Sequence, residues 1–374
     1  MSDSEAARKV RIPRVCLAVG VIIVLLGAPI SAQEPEGAPE APGDRSLYPL
    51  FIPFLNLGPL RPESETGVDI TLAYANTFSH SWHAKAIKNE FGTLDQPFSL
   101  YEAETLHARF PQDNIFFVDA DVTRLSVFAS LRLASGFSAS LEVPWISFAA
   151  IRGDGFIEDF HRTFGLGDTQ ERLSFPRNRF QIVLQSPNGP LQFVDETPSS
   201  GLGDVVATTS WRGETSRGFR FAADLALKLP TGDADQFRGS GSLDGGLLLG
   251  TSKNFGSSKR WTLRIEGGVV LPGRYRGAIP LALDPSAFFR LLVAGQVRIW
   301  SRTWVSLSAV AEQSPLHQQN LGNVAAASGG ISLGLAQHIL ALGLLELSVT
   351  EHLPSPGDTT DIAATLRFRY DLAR

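Results

Sequence analysis

In the stretch FRFAADLALKL, residues 219–229, apolar and polar side chains alternate with a period of two. One face holds Phe219, Phe221, Ala223, Leu225, Leu227 and Leu229. The other face holds Arg220, Ala222, Asp224, Ala226 and Lys228. Successive side chains of a β-strand point to opposite faces of its sheet, so this stretch predicts a strand with one apolar face and one polar face.

The same alternation recurs along the chain, most clearly in 137–145, 261–271 and 362–371. The strands of a soluble β-sandwich also alternate apolar and polar side chains, so alternation alone does not distinguish a sandwich from a membrane barrel. The lengths of the connections supply that distinction. Short connections fall near 134–136, 213–218, 255–259, 300–302 and 337–338, and long ones near 79–118, 150–200, 231–243, 272–285, 314–326 and 351–360. Short turns that alternate with long loops are typical of outer-membrane β-barrels.

Counting the segments between these connections predicts about twelve strands. They lie near 67–78, 119–133, 137–149, 202–212, 219–230, 244–254, 260–271, 286–299, 303–313, 327–336, 339–350 and 361–371. An even count places both chain ends in the periplasm, as a single-chain barrel requires. The expected fold is therefore all-β, a transmembrane antiparallel up-and-down β-barrel.

Aromatic side chains at the strand ends support this prediction. They are Phe137, Trp145, Trp211, Phe219, Trp261, Trp300, Trp304 and Tyr370. Rings at these positions fit the two aromatic girdles of a membrane barrel. The alternative interpretation is ordinary aromatic packing at the rim of a soluble sandwich.

The first 32 residues have the pattern of a cleaved signal peptide. Four basic residues between positions 8 and 14 precede an apolar run over 15–27, and Ile30-Ser31-Ala32 offers a cleavage site. An uncleaved membrane anchor is the alternative, but the run is shorter than the ~20 residues that a spanning helix needs. Because Cys16 is the only cysteine, the mature chain would hold no disulfide. Residues 33–46, rich in Pro, Glu, Gly and Ala, predict a disordered periplasmic leader, and 47–374 the barrel.

The charges on the polar faces of the strands indicate what kind of lumen the barrel would have. The net charge is −5 for the whole chain and about −7 without residues 1–32, which gives no reason to expect nucleic-acid binding. Basic inward candidates are Arg124, Arg132, Arg220, Lys228, Arg264, Arg290, Arg298, Arg367 and Arg369. Acidic ones are Asp69, Asp121, Glu142, Asp224, Glu266, Glu312, Glu346 and Asp371. Nearly balanced signs favour paired networks in a narrow barrel over a one-sided, ion-selective ring.

A barrel of about twelve strands is also smaller than the 16- to 18-stranded porins with open aqueous channels. The expected function is a narrow or occluded channel, or passive transporter, for a small solute. A structural barrel without a transport role and an outer-membrane lipid-modifying enzyme are the alternatives.

Two short motifs lie at the ends of one predicted hairpin: SGLGD at 200–204 and KLPTGD at 228–233. The glycines of the motifs permit tight turns, and Pro230 ends the strand pairing. Each motif can therefore be interpreted either as a structural turn or as part of a ligand site. Asp204 and Lys228 are expected to meet near the rim. The candidate lumen or rim residues are Asp204, Lys228, Asp233, Arg220, Asp224, Arg264, Glu266 and Arg290.

These motifs carry a resemblance to a known family. The stretch 154–168, with GFIEDFH at its centre, then SGLGD, KLPTGD and GSG at 239–241 resemble a bacterial family catalogued as domain of unknown function 3187, from about Asn56 to the C-terminus. The resemblance implies an outer-membrane barrel without an assigned activity. Within this stretch, the apolar spacing of 156–164 predicts a short helix in an outer loop, either a lid over the lumen or a simple loop cap.

The loops contain a few serine, histidine and acidic residues that could serve catalysis or metal binding. Lipid hydrolysis would need a serine beside a histidine that a third group orients, and the candidates are Ser79, His80, Ser81, His83 and His161. Adjacent Ser and His residues in a loop do not meet this requirement, so we expect no enzyme. The pair His80 and His83, and the loop acids Asp154, Glu158 and Asp159, are weak metal candidates, so no metal or cofactor is expected. The expected partners are outer-membrane lipid, lipopolysaccharide and the barrel-assembly machinery.

The mature protein is expected to begin at Gln33. Intact-mass measurement of the protein from outer-membrane fractions should show a chain without residues 1–32. Ala32→Leu, which places a bulky residue before the cleavage site, should slow processing. A folded outer-membrane species that keeps residues 1–32 would contradict the signal-peptide prediction.

Overall fold

The computed structural model describes residues 46–61, 66–148, 176, 179–256, 260–278, 281–339, 343–352 and 362–372. Its strands are β1 (Gly67–His80), β2 (Ile115–Ala134), β3 (Phe137–Ser147), β4 (Gln181–Gln185), β5 (Gln192–Val194), β6 (Gly201–Leu202), β7 (Val206–Glu214), β8 (Phe219–Lys228), β9 (Asp244–Phe255), β10 (Trp261–Leu271), β11 (Phe288–Trp300), β12 (Thr303–Glu312), β13 (Ser328–Ile339), β14 (Gly343–His352) and β15 (Ile362–Asp371). The helices are α1 (Trp82–Phe91) and α2 (Leu100–Arg109).

Within these described residues, twelve antiparallel strands form a closed ring. The pairing order is β2, β1, β15, β14, β13, β12, β11, β10, β9, β8, β7 and β3, and β3 pairs again with β2. The first and last strands close the ring, in register from Gly67 opposite Asp371 to Asn76 opposite Ile362. The predicted up-and-down barrel of about twelve strands is confirmed.

Side chains alternate across the wall as the sequence predicts. In β10, Trp261, Leu263 and Ile265 are 44–59% exposed on the outside, whereas Arg264 and Glu266 are buried on the inside. The other outward leucines, isoleucines, valines and aromatic residues continue this apolar surface around the ring. We call the end of the barrel with the short connections the turn end and the opposite end the loop end.

Three sequence predictions need correction. Trp304, expected in an aromatic girdle, is buried, because it lies on the inward face of β12 with Ser306 and Ser308 and opposite Arg298 of β11. The turn expected at 337–338 is not there, since both residues continue β13 and pair with β14. Strand β7 begins at Val206 rather than at 202, with Gly201–Leu202 forming a separate short strand.

The first long connection, expected as a loop over 79–118, is largely ordered structure. Strand β1 runs to His80, β2 starts at Ile115, and α1 and α2 lie between them. The start of β2 also pairs with β4, which pairs with β5, so the sheet extends beyond the ring at the loop end. None of the helices among the described residues is long and apolar enough to cross a membrane.

A buried ion pair fixes α1 to α2. The Lys88 ammonium donates hydrogen bonds to the carbonyls of Gln96 (2.7 Å) and Pro97 (3.0 Å) and lies 3.4 Å from Glu102. Burial lowers the pKa of Lys88, although the nearby Glu102 charge opposes the shift. Burial alone would raise the pKa of Glu102, but hydrogen bonds from Thr93 and Ser99 hold it below its ordinary value. This helical pair is therefore a rigid unit at the loop end.

An arginine in the middle of the apolar surface is expected to destabilise the barrel in a lipid bilayer. Ile265→Arg should cost about 2–4 kcal/mol, because Ile265 lies midway along β10 on the outside, whereas Trp261→Arg, at the turn end of the same strand, should cost about 0–1 kcal/mol. Each variant is titrated with urea in lipid vesicles, and its folded fraction is measured by the gel mobility of unboiled samples. The titrations give the free-energy cost of each substitution. Equal costs at the two positions would contradict a membrane-spanning β10.

Candidate functional site

The segment Ser46–Arg61, which we call the luminal segment, lies inside the barrel rather than in its wall. Its chain bends through a 3-10 turn at Pro49–Phe51, and the Asn56 side-chain amide donates to the Ser46 carbonyl at 3.1 Å. Most of its apolar side chains are at most 6% exposed, including Tyr48, Phe54 and Leu60. The prediction that 47–374 forms the barrel is therefore refined, since 47–61 fill it.

At the loop end, the luminal segment enters the core that the long connections form. Tyr48, Phe51 and Phe54 are buried among apolar side chains of the wall and of the connections. The surrounding residues include Phe116, Phe148, Phe180, Phe237, Leu316 and Leu321. Apolar burial thus anchors this part of the segment.

Wall side chains bind the backbone of the segment along residues 55–61. The Leu55 amide donates to Asp244 Oδ2 at 2.6 Å, and the Leu57 carbonyl accepts from the Arg290 guanidinium. Asp244 begins β9 and Arg290 lies near the start of β11, so both contacts are near the loop end. A hydrogen bond to a charged side chain is stronger than a hydrogen bond between two neutral groups.

Leu60 is held by both of its backbone polar groups. Its amide donates to Glu266 Oε2 at 2.9 Å, and its carbonyl accepts from Arg264 at 2.9 Å. Both side chains point inward from the middle of β10, two residues apart. The next carbonyl, that of Arg61, accepts from Arg212 Nε at 2.8 Å. The segment therefore reaches the turn end as an extended chain bound through its peptide groups.

Glycines in the wall allow this close approach. A Cβ atom at Gly246 would lie 2.8 Å from Leu55 Cδ2, and one at Gly268 would lie 3.0 Å from Leu57 Cδ1. A Cβ atom at Gly250 would overlap the Leu60 side chain. Leu55, Leu57 and Leu60 pack there with Leu248, Val270 and Phe288 of the wall. We call these three glycines, together with Arg212, Asp244, Arg264, Glu266 and Arg290, the luminal site.

Paired charges continue on the opposite wall. Asp69 accepts from Arg61 (2.8 Å) and from Arg367 (2.9 Å), and Arg367 also contacts Glu346 at 3.2 Å. Arg61 lies over the Phe128 ring at 4.1 Å. A segment residue thus joins an ion network of the wall, which fixes the segment at the turn end.

The two sequence motifs meet in a second group, which we call the rim cluster. Lys228 Nζ contacts Asp204 at 2.5 Å, Ser240 Oγ at 2.8 Å and Asp244 at 3.4 Å. Asp204 also accepts from the backbone amides of Gly232 (2.8 Å) and Ser240. A Cβ atom at position 239 would overlap the Asp204 carboxylate, which accounts for the glycine there. The motifs therefore tie the wall to its long connection, and through Asp244 to the luminal segment.

The remaining candidate residues, Asp224, Arg220 and Asp233, do not belong to the rim cluster. Asp224 pairs with Arg212 at 2.6 Å near the turn end, and the half-buried Arg220 lines a cavity there. Asp233 does not face the lumen. It caps a 3-10 turn at Ala234–Gln236 and pairs with Arg238 at 3.0 Å in the long connection.

Cavities lie on two sides of the luminal segment among the described residues. One of about 110 Å³ lies between the segment and the opposite wall, next to Arg124, Glu142 and Arg367. The other, of about 320 Å³, opens at the turn end. Its charged lining residues are the arginines at 61, 132, 212, 220 and 264 and the glutamates at 214 and 266, so its lining is predominantly basic.

The serines and histidines considered for catalysis have structural contacts. Ser81 Oγ accepts from the Phe116 amide, the Ser79 and Tyr48 hydroxyls are 3.5 Å apart, and His83 Nε2 lies 3.1 Å from Asp113. Among the described residues, no group of three His, Cys, Asp or Glu side chains is arranged to hold a metal ion. His161, the loop acids Asp154, Glu158 and Asp159, and the helix predicted over 156–164 lie outside the described residues.

Sequence reasoning missed the luminal segment, Arg212 and Asp244. One signal was present in 47–60, LYPLFIPFLNLGPL, which is strongly apolar yet neither alternates nor resembles the polar leader before it. A second signal was the presence of Gly246 and Gly250 on the inward face of β9, where polar side chains were expected.

The closed ring, apolar outside and charged inside, defines a transmembrane β-barrel of the outer-membrane class. The chain belongs to the family described as "Protein of unknown function (DUF3187)", whose model matches residues 93–372. No curated protein matches the sequence significantly.

Similar solved structures include outer-membrane proteins. The COG4313 outer membrane channel from Pseudomonas putida F1 is 11% identical, with a TM-score of 0.47, over 82% of this chain and 97% of that one. The KdgM porin is 9% identical, with a TM-score of 0.37, over 69% and 95%. The Ralstonia pickettii toluene transporter TbuX is 9% identical, with a TM-score of 0.39, over 82% and 90%.

Removing the central cation of the rim cluster is expected to destabilise the barrel. Lys228→Met leaves the Asp204 and Asp244 carboxylates buried without their cation, which should lower the unfolding free energy by about 3–5 kcal/mol. Lys253→Met, at a half-buried lysine over the Phe219 ring at the turn end, is the control and should cost about 1 kcal/mol or less. Urea unfolding of both variants, followed by gel mobility, checks this. Equal losses would show that the cluster adds no special stability.

Proposed function

We propose that the protein is a passive outer-membrane channel for a small solute, and that its own luminal segment occludes it in the state described. The observation that carries the proposal is the segment inside the ring, bound at Leu55, Leu57, Leu60 and Arg61 through peptide groups. When the segment leaves, water can replace these hydrogen-bond partners, while Leu55, Leu57 and Leu60 give up their apolar contacts with the wall. Release of the segment would open the lumen without breaking the wall.

The geometry beside the segment supports occlusion. The 110 Å³ cavity is smaller than the ~300–1,000 Å³ pockets that hold drug-sized ligands. The ion pairs Arg124–Glu142 and Arg367–Asp69 also occupy the opposite side of the lumen. A solute therefore needs the space that the segment now fills.

The orientation follows from the connections. Outer-membrane barrels place short turns in the periplasm and long loops outside, so the turn end would face the periplasm and the loop end the exterior. Tyr48, beside Ser79 at the loop end, would then lie towards the exterior, which does not agree with the prediction of a periplasmic leader over 33–46. The apolar outside of the wall would contact outer-membrane lipid, and the loop end would adjoin lipopolysaccharide. The 320 Å³ basic cavity would then open to the periplasm.

Displacing the luminal segment is expected to open the channel. In Leu55→Glu/Leu60→Glu, the new carboxylates stand beside Asp244 and Glu266, whose side chains accept from the backbone at those positions. Burying an ionised carboxylate in place of each of these leucines, within an apolar cluster of the wall, should shift the segment out of the lumen and raise conductance about tenfold or more in planar bilayers.

Leu55→Gln/Leu60→Gln is the matched control, because it has the same shape and polarity without the charge. It should conduct less than the glutamate variant. Circular dichroism and heat-modifiable gel mobility establish that each variant is folded. A folded glutamate variant with wild-type conductance and no uptake of small solutes would favour the alternative, a structural barrel without a transport role.

A further inference from the structure

We infer that the luminal site binds short linear peptides that have apolar side chains and a free carboxyl terminus. This inference rests on the proposed function and names the solute class of the opened lumen. The contacts that point to it are those that hold the luminal segment, because each of them would be available to a separate chain once the segment leaves.

Charged side chains of the wall recognise the peptide groups of the segment. Asp244 and Glu266 accept from backbone amides, and Arg264, Arg290 and Arg212 donate to backbone carbonyls. Arg264 and Glu266 together bind the two polar groups of one residue, Leu60. A solute that lacked regularly spaced amide groups could not satisfy these donors and acceptors together, and unsatisfied buried groups are costly. A linear peptide satisfies them in its extended form.

The side chains of such a peptide are also specified. Gly246, Gly268 and Gly250 leave room for leucine side chains at the positions of Leu55, Leu57 and Leu60. Leu248, Val270 and Phe288 complete an apolar surface around them. Small or charged side chains would leave this surface poorly covered, so apolar residues at alternate or nearby positions are favoured.

The basic cavity at the turn end specifies the terminus. The Arg61 carbonyl, bound by Arg212, is the last backbone contact before this cavity. A peptide that ended at this position would place its carboxylate there, where Arg132 and Arg220 also line the space. Guanidinium groups bind carboxylates through paired, charge-assisted hydrogen bonds. A free carboxyl terminus would therefore bind more tightly than an amidated one.

The luminal segment itself explains why the wild-type chain would bind such peptides weakly. A tethered segment competes with an effective concentration in the millimolar range or above. The test therefore uses full-length chains whose segment is displaced, Leu55→Glu/Leu60→Glu. Leu57→Arg, which sets a second guanidinium beside Arg290, is an independent displacing variant.

The probe is the synthetic peptide IPFLNLGPLR, residues 52–61, labelled at its amino terminus and followed by fluorescence anisotropy. It is expected to bind either displaced variant at least about tenfold more tightly than the wild type, and to block the conductance of that variant. The amidated peptide should bind about three- to tenfold more weakly, with the difference reduced in Arg132→Gln/Arg220→Gln. Methylation of the amides at the positions of Leu55 and Leu60 should weaken binding about tenfold or more.

A displaced variant that conducts but neither binds the peptide nor is blocked by it would overturn this inference and leave the proposed channel intact. Equal binding of the methylated and unmethylated peptides would also overturn it, since recognition would then not involve the backbone. A folded, displaced variant that binds the peptide yet never conducts would instead overturn the proposed channel and support the site.

Discussion

Pairing between the first and last wall strands closes the barrel and sets which side chains its lumen must accommodate. Strands β1 and β15 meet along ten residue pairs, and this leaves the twelve-stranded ring without a free edge. In a lipid bilayer an open edge would leave a row of backbone amides and carbonyls without partners. Closure in turn fixes which side chains face inward, so every polar group on that face must find its partners in the lumen.

Those partners come from two sources. Some inward charges pair with one another, as Arg124 does with Glu142 and Arg367 does with Asp69. Others pair with the backbone of the luminal segment, as Arg264, Glu266 and Arg290 do. The two groups are joined, because Arg61 of the segment shares Asp69 with Arg367. The stability of the wall and the occupancy of the lumen are therefore coupled through the same side chains.

The sequence predicts the wall much better than its contents. Strand alternation is a local pattern, so strands such as 261–271 are located to within a few residues, and Asp204 and Lys228 could be expected to meet because they lie near the same end of a tight hairpin. The backbone of the luminal segment makes its contacts with wall residues about 150 to 230 positions away, and the alternation within a strand gives no information on such distant contacts. Trp304 shows a second limit, since an aromatic residue near a strand end can belong to the inward face, as Trp304 does with Ser306 and Ser308.

The two halves of the luminal segment share apolar burial as a stabilising force and differ in the polar contacts added to it. Tyr48, Phe51 and Phe54 are buried in the apolar core at the loop end, where exposing each ring to water costs about 1.5–3 kcal/mol. Leu55, Leu57 and Leu60 are buried against the wall at a similar cost for each side chain, and hydrogen bonds to charged wall groups add about 1.5–3 kcal/mol each. Because β1 begins at Gly67, soon after Arg61, a segment that stayed anchored by its aromatic half would still cross the lumen. Opening the channel therefore requires the aromatic half to leave its core, while the covalent link to β1 keeps the segment attached and able to return.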